Sequence, residues 1–155
     1  MSTRDTDRRG TDDPLVSRLE AALAHEPGHG SGAIACAWLF GSRARGTGRP
    51  TSDLDLAVLF SEDPPRTLEG LHLDLADRLT GEVGRPVDLV VMNRAPVDLV
   101  HRVLRDGILL LERDRSARIR FEVRARNEYF DLLPHLLRYR RVGHRAAEPV
   151  DEEKR

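Results

Sequence analysis

Two aspartates separated by one residue open an apolar run, as Asp53 and Asp55 in the segment DLDLAVLF. Side chains two apart in a β-strand point to the same face. A strand over 53–60 would therefore carry two carboxylates side by side. Their repulsion raises the pKa of at least one of them unless a cation neutralises the pair. Because Mg²⁺ commonly takes one or two carboxylates together with substrate phosphates, the pair is a candidate divalent-metal site.

A third carboxylate, Asp88, lies within the apolar segment VDLVVM. A charge in such surroundings needs a partner or a metal. If its strand neighbours the strand of Asp53 and Asp55, three carboxylates converge, as phosphoryl or nucleotidyl transfer with two metals requires. Two alternatives stay open. Asp88 could form a structural ion pair with Arg85 or Arg94, and an isolated Asp-x-Asp at a strand entrance is more often a turn or cap element.

Gly41 and Ser42 directly follow another apolar run, AIACAWLF. A glycine lets the backbone approach a ligand closely, the following amides can point at phosphate oxygens, and the Ser42 hydroxyl can donate a further hydrogen bond. Arg43, Arg45 and Arg49 add positive charge to the same loop. The segment is not a Walker A motif, since Gly46 is followed by Thr and Gly rather than by Lys and Ser or Thr.

The elements that must position these residues alternate between strand and helix patterns. Apolar runs predict strands over 33–40, 53–60, 87–92 and 108–111, and a loop over 41–52. Helical spacing predicts helices over 14–26, 66–80, 96–105 and 114–141. Asp13 and Pro14 mark the start of the first helix, Gly81 and Gly84 the end of the second, and Pro134 a kink or break in the last. The order predicts an α/β or α+β fold with a mixed sheet.

Composition predicts one domain over 13–141, with a disordered tail at 1–12 and a flexible tail at 142–155. The formal net charge is −1, which gives no general attraction for nucleic acid. No signal peptide and no run of about 20 apolar residues is present, so a soluble cytoplasmic protein without a membrane segment is expected. Cys36, the only cysteine, is expected to act as a small buried hydrophobe.

The C-terminal stretch is rich in arginine. Its ten arginines are Arg113, Arg115, Arg118, Arg120, Arg124, Arg126, Arg138, Arg140, Arg141 and Arg145. A solvated helix face laced by Glu122, Glu128 and Asp131 is the simplest interpretation, and a docking surface for an acidic partner is the second. Direct RNA binding is the least favoured, because only 5% of the residues are aromatic. Trp38 and Phe130 are predicted to belong to the core.

At these residues the chain resembles the polymerase-β-type nucleotidyltransferase superfamily. The shared signature is Gly-Ser, a short loop, Asp-x-Asp and a third carboxylate on a later strand, here GSRARGTGRPTSDLDL and PVDLVV. The resemblance covers about 33–111, and the small size is similar to that of the minimal nucleotidyltransferases. The segment RIRFEVRARNEYFDLLPHLLRYRR also resembles the C-terminal helix of members that act as antitoxins beside a HEPN-domain ribonuclease toxin.

The resemblance implies a polymerase-beta-like fold, a mixed sheet flanked by helices with a C-terminal helical segment. It implies that Asp53 and Asp55 bind two Mg²⁺ ions, and that Asp88 completes one metal site and helps to deprotonate the acceptor. Gly41 and Ser42 would cradle the β- and γ-phosphates of ATP.

The resemblance further implies that Arg43 belongs to the nucleotide-binding set. It also implies transfer of AMP from ATP to a tyrosine of a HEPN toxin, with the toxin bound through the C-terminal helix. Two alternatives remain: transfer to a small molecule such as an aminoglycoside, although such enzymes usually carry an extra substrate domain, and a non-catalytic antitoxin that acts by binding alone.

Overall fold

The computed structural model describes residues 13–28, 32–65 and 72–145. The elements are α1 (Pro14–His25), β1 (Ile34–Phe40), α2 (Gly41–Ala44), β2 (Leu54–Phe60), α3 (Leu73–Val83), β3 (Val87–Val91), α4 (Val97–Asp106), β4 (Ile108–Glu112) and α5 (Arg115–Arg145). The predicted tail at 1–12 and most of that at 142–155 lie outside the described residues. The same holds for the predicted start of the second helix, at 66–71.

The four strands form one mixed sheet in the order β3-β2-β1-β4. β1 lies in the centre and runs antiparallel to both β2 and β4, whereas β2 and β3 run parallel. A parallel pair needs a crossover connection, and α3 lies in the one between β2 and β3. The predicted mixed sheet flanked by helices is confirmed.

Each face of the sheet has its own apolar core. α1 and α3 cover one face, where Leu19, Leu39, Leu56 and Leu79 are buried together. α4 and α5 cover the other face, where Trp38 packs with the residues of a second cluster. β1 is therefore buried on both sides, which explains its continuous apolar sequence.

The predictions for Trp38 and Cys36 are confirmed. Trp38 is only 4% exposed, and Cys36 is fully buried. Burial raises the pKa of the Cys36 thiol to about 11, so the thiol stays protonated at neutral pH. Among the helices that the structure describes, none combines the length and the apolar character that crossing a bilayer requires.

Several element boundaries differ from the predictions. Part of the predicted loop 41–52 is the short helix α2, and β2 begins at Leu54, so Asp53 immediately precedes the strand. α3, which corresponds to the predicted helix 66–80, ends at Val83 and is capped by Gly84, which has a φ of +70°. Gly81 lies inside α3. Gly84 ends it because a left-handed residue at that point redirects the chain.

The last helix departs most from expectation. α5 continues through Pro134 to Arg145, so the predicted break does not occur. Because proline has no backbone N–H, one carbonyl of the preceding turn lacks its helical hydrogen bond. Pro134 is solvent-exposed, so water can donate to that carbonyl instead. The prediction that Phe130 is core is wrong, since the residue is 57% exposed. The core-facing side of α5 is instead that of Phe121 and Ala125, which are buried.

Candidate active site

The predicted site residues meet at one edge of the sheet. Because β1 is antiparallel to β2, the carboxyl end of β1 lies beside the amino end of β2, and Phe40 pairs with Asp55. β3 is parallel to β2, so its amino end lies at the same edge, and Asp55 pairs with Asp88. The topology thus brings together Gly41, which follows β1, and the carboxylates of two adjacent strands.

Asp55 and Asp88 also share a face of the sheet. Leu56 and Leu89 pack into the core beneath α1 and α3, so their neighbours Asp55 and Asp88 point to the opposite face. Asp55 is half-buried, while Asp53 and Asp88 are exposed. This face is the one over which α4 and α5 pack, and the three carboxylates lie at its edge.

The three carboxylates interact electrostatically. Burial raises the pKa of Asp55 above its ordinary value, and the charges of Asp88 and then Asp53 raise it further, while Arg45 acts in the opposite direction. In the described part of the chain, no arginine or lysine nitrogen lies within 4.0 Å of these carboxylates. The cluster is therefore a concentration of negative charge that no direct ion pair neutralises, which favours binding of a cation.

The alternative of a structural ion pair for Asp88 is not supported. Arg85 donates hydrogen bonds from Nη2 to the backbone carbonyls of Pro50 and, at 3.3 Å, of Ser52. Arg94 donates to the carbonyl of Pro64. Both candidate partners are directed at backbone oxygens, which leaves Asp88 available at the edge of the sheet.

Position 41 requires a glycine, because the backbone there lies against the side chain of Asp55. The φ of Gly41 is +72°, a left-handed conformation that side chains rarely adopt. A Cβ at this position would lie 2.0 Å from Oδ2 and 2.7 Å from Cγ of Asp55. The Asp55 carboxylate therefore lies directly against the Gly41 backbone, and no other residue fits without displacing it.

Ser42 and Arg43 form the first turn of α2. The N–H groups of a first helical turn have no acceptor within the helix, so they can face a ligand. The Arg43 guanidinium is used elsewhere: Nη1 lies 2.5 Å from Oδ2 of Asp13, and Nη2 donates to the Pro50 carbonyl at 3.3 Å. The contact left to Arg43 for a nucleotide is its backbone N–H.

The donor set fits Mg²⁺ rather than a tightly enclosed metal. Among the residues that the structure describes, no group of three or more His, Cys, Asp or Glu side chains is arranged so that it could hold a metal ion. Mg²⁺ does not require one, because it commonly keeps waters and uses one or two carboxylates plus substrate phosphates. Asp53, Asp55 and Asp88 offer hard oxygen donors on an open edge, which suits an ion that arrives with a nucleotide.

Two arginines have roles that the sequence pattern did not reveal. Arg85 was considered only as an ion-pair partner, yet it holds the loop that leads to Asp53. Arg113 was grouped with the C-terminal helix, yet it lies before α5 and donates to the carbonyls of Leu23, Ala24, Glu26 and Pro27. Both contacts join residues far apart in the chain, so no local pattern could have signalled them.

The family model described as Polymerase beta, Nucleotidyltransferase matches residues 28–116, which is more than half of the chain. No curated protein matches the chain.

Solved structures with a similar fold include toxin–antitoxin complexes. A toxin–antitoxin crystallised with AMP-PNP has a TM-score of 0.66 and 24% identity, covering 85% of this chain and 98% of that one. The complex of a tri-AMPylated Shewanella oneidensis HEPN toxin with its MNT antitoxin has a TM-score of 0.63 and 21% identity, covering 85% and 99%. A MntA–HepT complex has a TM-score of 0.61 and 21% identity, covering 86% and 97%. At these identities the likeness establishes a shared fold.

Proposed function

Since the chain belongs to the polymerase beta nucleotidyltransferase family, we propose that it is an antitoxin that transfers AMP from ATP to a tyrosine hydroxyl of a HEPN ribonuclease toxin. The observation that carries this proposal is the pairing of Asp55 with Asp88 beside the backbone of Gly41. The arrangement places metal-binding carboxylates next to a backbone turn that can receive phosphates.

Asp53, Asp55 and Asp88 are the residues that would hold two Mg²⁺ ions. Burial and the charges of Asp88 and Asp53 raise the pKa of Asp55, so a cation at this position would stabilise its ionised form. When bound, the ions neutralise phosphate charge and stabilise the attacking and leaving oxygens. The carboxylates would also orient the triphosphate, because their positions determine where the bound ions contact its oxygens.

Gly41, Ser42 and Arg43 would bind the β- and γ-phosphates. The turn at Gly41 brings the backbone against Asp55, so the phosphates and the carboxylates share one edge of the sheet. The Ser42 hydroxyl and the free N–H groups of the first turn of α2 are the donors.

Asp88 is suited to receive the proton of the acceptor. It is exposed, and it lies beside Asp55 in the sheet register. The tyrosine oxygen attacks the α-phosphorus, its proton passes toward Asp88, and pyrophosphate leaves.

The partner would dock along α5. Among the described side chains of this helix, five large apolar residues are exposed, and Leu132, at 43%, lies on the side of Phe121 and Ala125. The other four are Ile119 46%, Val123 54%, Phe130 57% and Leu137 48%. At about 100° per residue they lie within about 40° of one another, on the side of the helix opposite Phe121 and Ala125. We call this set the α5 stripe. An exposed apolar surface of this kind marks a protein interaction site.

Structural neighbours support the same partner class. The similar folds come from complexes with toxins, one of them a HEPN toxin carrying AMP groups. Arginines flank the α5 stripe, namely Arg115, Arg120, Arg126 and Arg138. They favour a partner surface that is apolar in the centre and acidic at its rim. The proposal includes a cytoplasmic location, since the substrate of a ribonuclease toxin is cellular RNA.

The proposal is tested by intact mass spectrometry of a HEPN protein coexpressed with this chain. The wild type is expected to add one or more AMP units to the toxin, and the Asp53→Asn/Asp55→Asn double variant to add none. Asp77→Asn/Glu82→Gln is the matched control, because it also removes two carboxylates but from exposed positions on α3, which covers the other face of the sheet.

Each alternative outcome has its own meaning. Unmodified toxin that is still bound and silenced would replace the proposal by inhibition through occlusion. Unmodified and unbound toxin, together with nucleotide transfer to an aminoglycoside, would replace it by a small-molecule acceptor. Loss of AMP addition in the α3 control as well would show that the double variant acts through general charge or stability.

A further inference from the structure

The loop between Ala44 and Leu54 carries the first metal-binding carboxylate, Asp53, and its two ends are held differently. Near its start, Thr47 donates to the Ser42 carbonyl from both its backbone N, at 2.9 Å, and its hydroxyl, at 3.2 Å. These bonds are local in sequence and close a tight turn. The end of the loop, which directly precedes Asp53, also closes a local turn, in which Ser52 N donates to the Arg49 carbonyl and Arg49 N donates to Ser52 Oγ, both at 3.0 Å. Unlike the start, it is in addition contacted by arginine side chains from other elements.

Two arginines converge on that end. Arg43 of α2 donates to the Pro50 carbonyl, and Arg85, from the turn between α3 and β3, donates to the carbonyls of Pro50 and Ser52. We call this arrangement the arginine clamp. It joins the phosphate-binding turn, the loop before Asp53 and the strand of Asp88 through two backbone carbonyls.

The side chains of Arg43 and Arg85 are both partly buried. The side chain of Arg43 is 12% exposed, and its Nη1 is engaged by Asp13, the residue that caps α1. The Nε atoms of Arg43 and Arg85 are both buried. Neither guanidinium forms an ion pair with Asp53, Asp55 or Asp88 in the part of the chain that the structure describes, and both donate to the backbone of the loop.

We propose that Arg85, together with Arg43, is a positioning residue that holds the Pro50–Ser52 backbone so that Asp53 stands beside Asp55 in a metal-ready geometry. The inference rests on the proposed function in so far as the metal is the one that the reaction uses. A residue in this role affects the metal dependence of the site and the stiffness of the loop, whereas a residue that only stabilises the fold affects neither specifically.

Gly48 supports the same assignment. A Cβ at Gly48 would lie 2.8 Å from Cγ and 3.2 Å from Cα of Arg43. The loop thus packs directly over the Arg43 stem, and it can do so because position 48 has no side chain. The loop therefore contacts Arg43 in two ways, through the hydrogen bond from its guanidinium to Pro50 and through packing of Gly48 on its apolar stem.

The test compares Arg85→Met with Arg113→Met. Methionine keeps an apolar stem and removes every donor. Arg113 is a matched control, because it also binds several backbone carbonyls, but at the C-terminal end of α1 and beside the start of β1, away from the site edge. Two readouts are used: hydrogen exchange of a peptide spanning 45–53, and the Mg²⁺ concentration that gives half-maximal thermal stabilisation in the presence of AMP-PNP.

For Arg85→Met we expect faster exchange of the loop and a Mg²⁺ requirement raised about tenfold, the size of one charge-assisted hydrogen bond. Arg85→Lys, which keeps one charged donor, is expected to recover part of both effects. Arg113→Met is expected to lower the melting temperature while leaving both readouts at the wild-type level. If Arg85→Met does not fold, Arg85→Lys and Arg85→Gln are compared in its place.

Wild-type loop exchange and wild-type Mg²⁺ dependence in Arg85→Met would overturn the inference. So would equal shifts in the Arg113→Met control, since the effect would then follow from lost stability. Failure of the proposed function is seen separately: a wild type that neither binds Mg²⁺ with AMP-PNP nor modifies a toxin refutes that function. The loop exchange of Arg85→Met still decides whether the clamp holds the loop.

Discussion

At the scale of single residues, the site is defined by how closely Asp55 is enclosed. Its carboxylate lies against the Gly41 backbone, beside Asp88 in register and within the field of Asp53. Without a metal, the carboxylates of the folded protein therefore repel one another. Binding of a cation relieves this repulsion. The following three predictions depend on this enclosure.

Asp55→Asn is expected to raise the melting temperature of the metal-free protein at pH 7. The pKa of Asp55 is raised in the folded state, so its ionisation opposes folding above its ordinary value of 3.8. The advantage of the variant should shrink as the pH falls toward that value, because wild-type Asp55 then becomes protonated. Thermal melts across the acid range measure this, and a constant difference at every pH would contradict it.

The same variant should lose the response to Mg²⁺. Wild type is expected to be stabilised by Mg²⁺ with AMP-PNP, and Asp55→Asn to show little stabilisation. Nucleotidyl transfer should fall by more than about 100-fold, since even outer-shell changes at metal sites cost up to that amount. Equal activity of the two proteins would remove Asp55 from the proposed metal site.

Gly41→Ala is expected to impair both stability and the site, while Gly46→Ala impairs stability alone. Both glycines have left-handed φ, +72° and +71°, so alanine should cost about 1 kcal/mol at each. Only at Gly41 does the new Cβ meet Asp55, whereas nothing lies within 4 Å at Gly46. Chemical denaturation and Mg²⁺ titration of the two variants separate the strain of the backbone from displacement of the carboxylate.

At the scale of elements, α1 is held at both ends by arginines from distant parts of the chain. Asp13 caps its first turn by accepting from Leu15 N at 2.9 Å and also binds Arg43. At the other end, Arg113 donates to the last carbonyls, which a helix cannot satisfy internally. This explains how a short helix at the margin of the domain keeps a fixed position over the sheet.

Arg113→Met is expected to lower the free energy of unfolding by about 2 kcal/mol, the value of hydrogen bonds from a charged donor. Arg120→Met is the control, because Arg120 is exposed on α5 and takes part in no ion pair among the described residues. Urea denaturation of both variants provides the measurement. Equal stability of the two would show that the contacts at the end of α1 contribute nothing net.

At the scale of the whole molecule, α5 is the element that exposes a large apolar surface. Its 31 residues extend about 46 Å, and among the side chains that the structure describes, those that belong to the core lie in its first half. The ion pair Arg118–Glu122, at 2.7 Å, supports the interpretation of a laced polar face for part of it. The α5 stripe lies on the remaining side, where apolar exposure is not explained by the fold of the chain alone.

Val123→Glu and Phe130→Glu are expected to weaken toxin binding by about 30-fold or more, as for central interface residues, with little change in melting temperature. Leu73→Glu is the matched control, because Leu73 is 61% exposed but lies on α3. Titration calorimetry with the toxin gives the comparison. Wild-type affinity in both α5 variants would exclude the stripe as the docking surface.

Much of the fold was predictable because its signals are local. The Asp13-Pro14 start of α1, the four strands and the order of elements follow from caps and apolar periodicity in the chain itself. The family was predictable from one contiguous motif and Asp88, and the match over residues 28–116 confirms it. Phe130 was assigned wrongly because periodicity identifies an apolar side of a helix but not what covers it.

The sequence by itself determined the chemistry available: three carboxylates, a Gly-Ser turn, and an Asp-x-Asp pair at the start of an apolar strand. Only the tertiary structure decided that β3 lies parallel to β2, that Asp88 is in register with Asp55, and that Arg85 binds the loop before Asp53. The physical reason is that strand order, register and long-range hydrogen bonds depend on the burial of two apolar faces at once, which no single segment encodes.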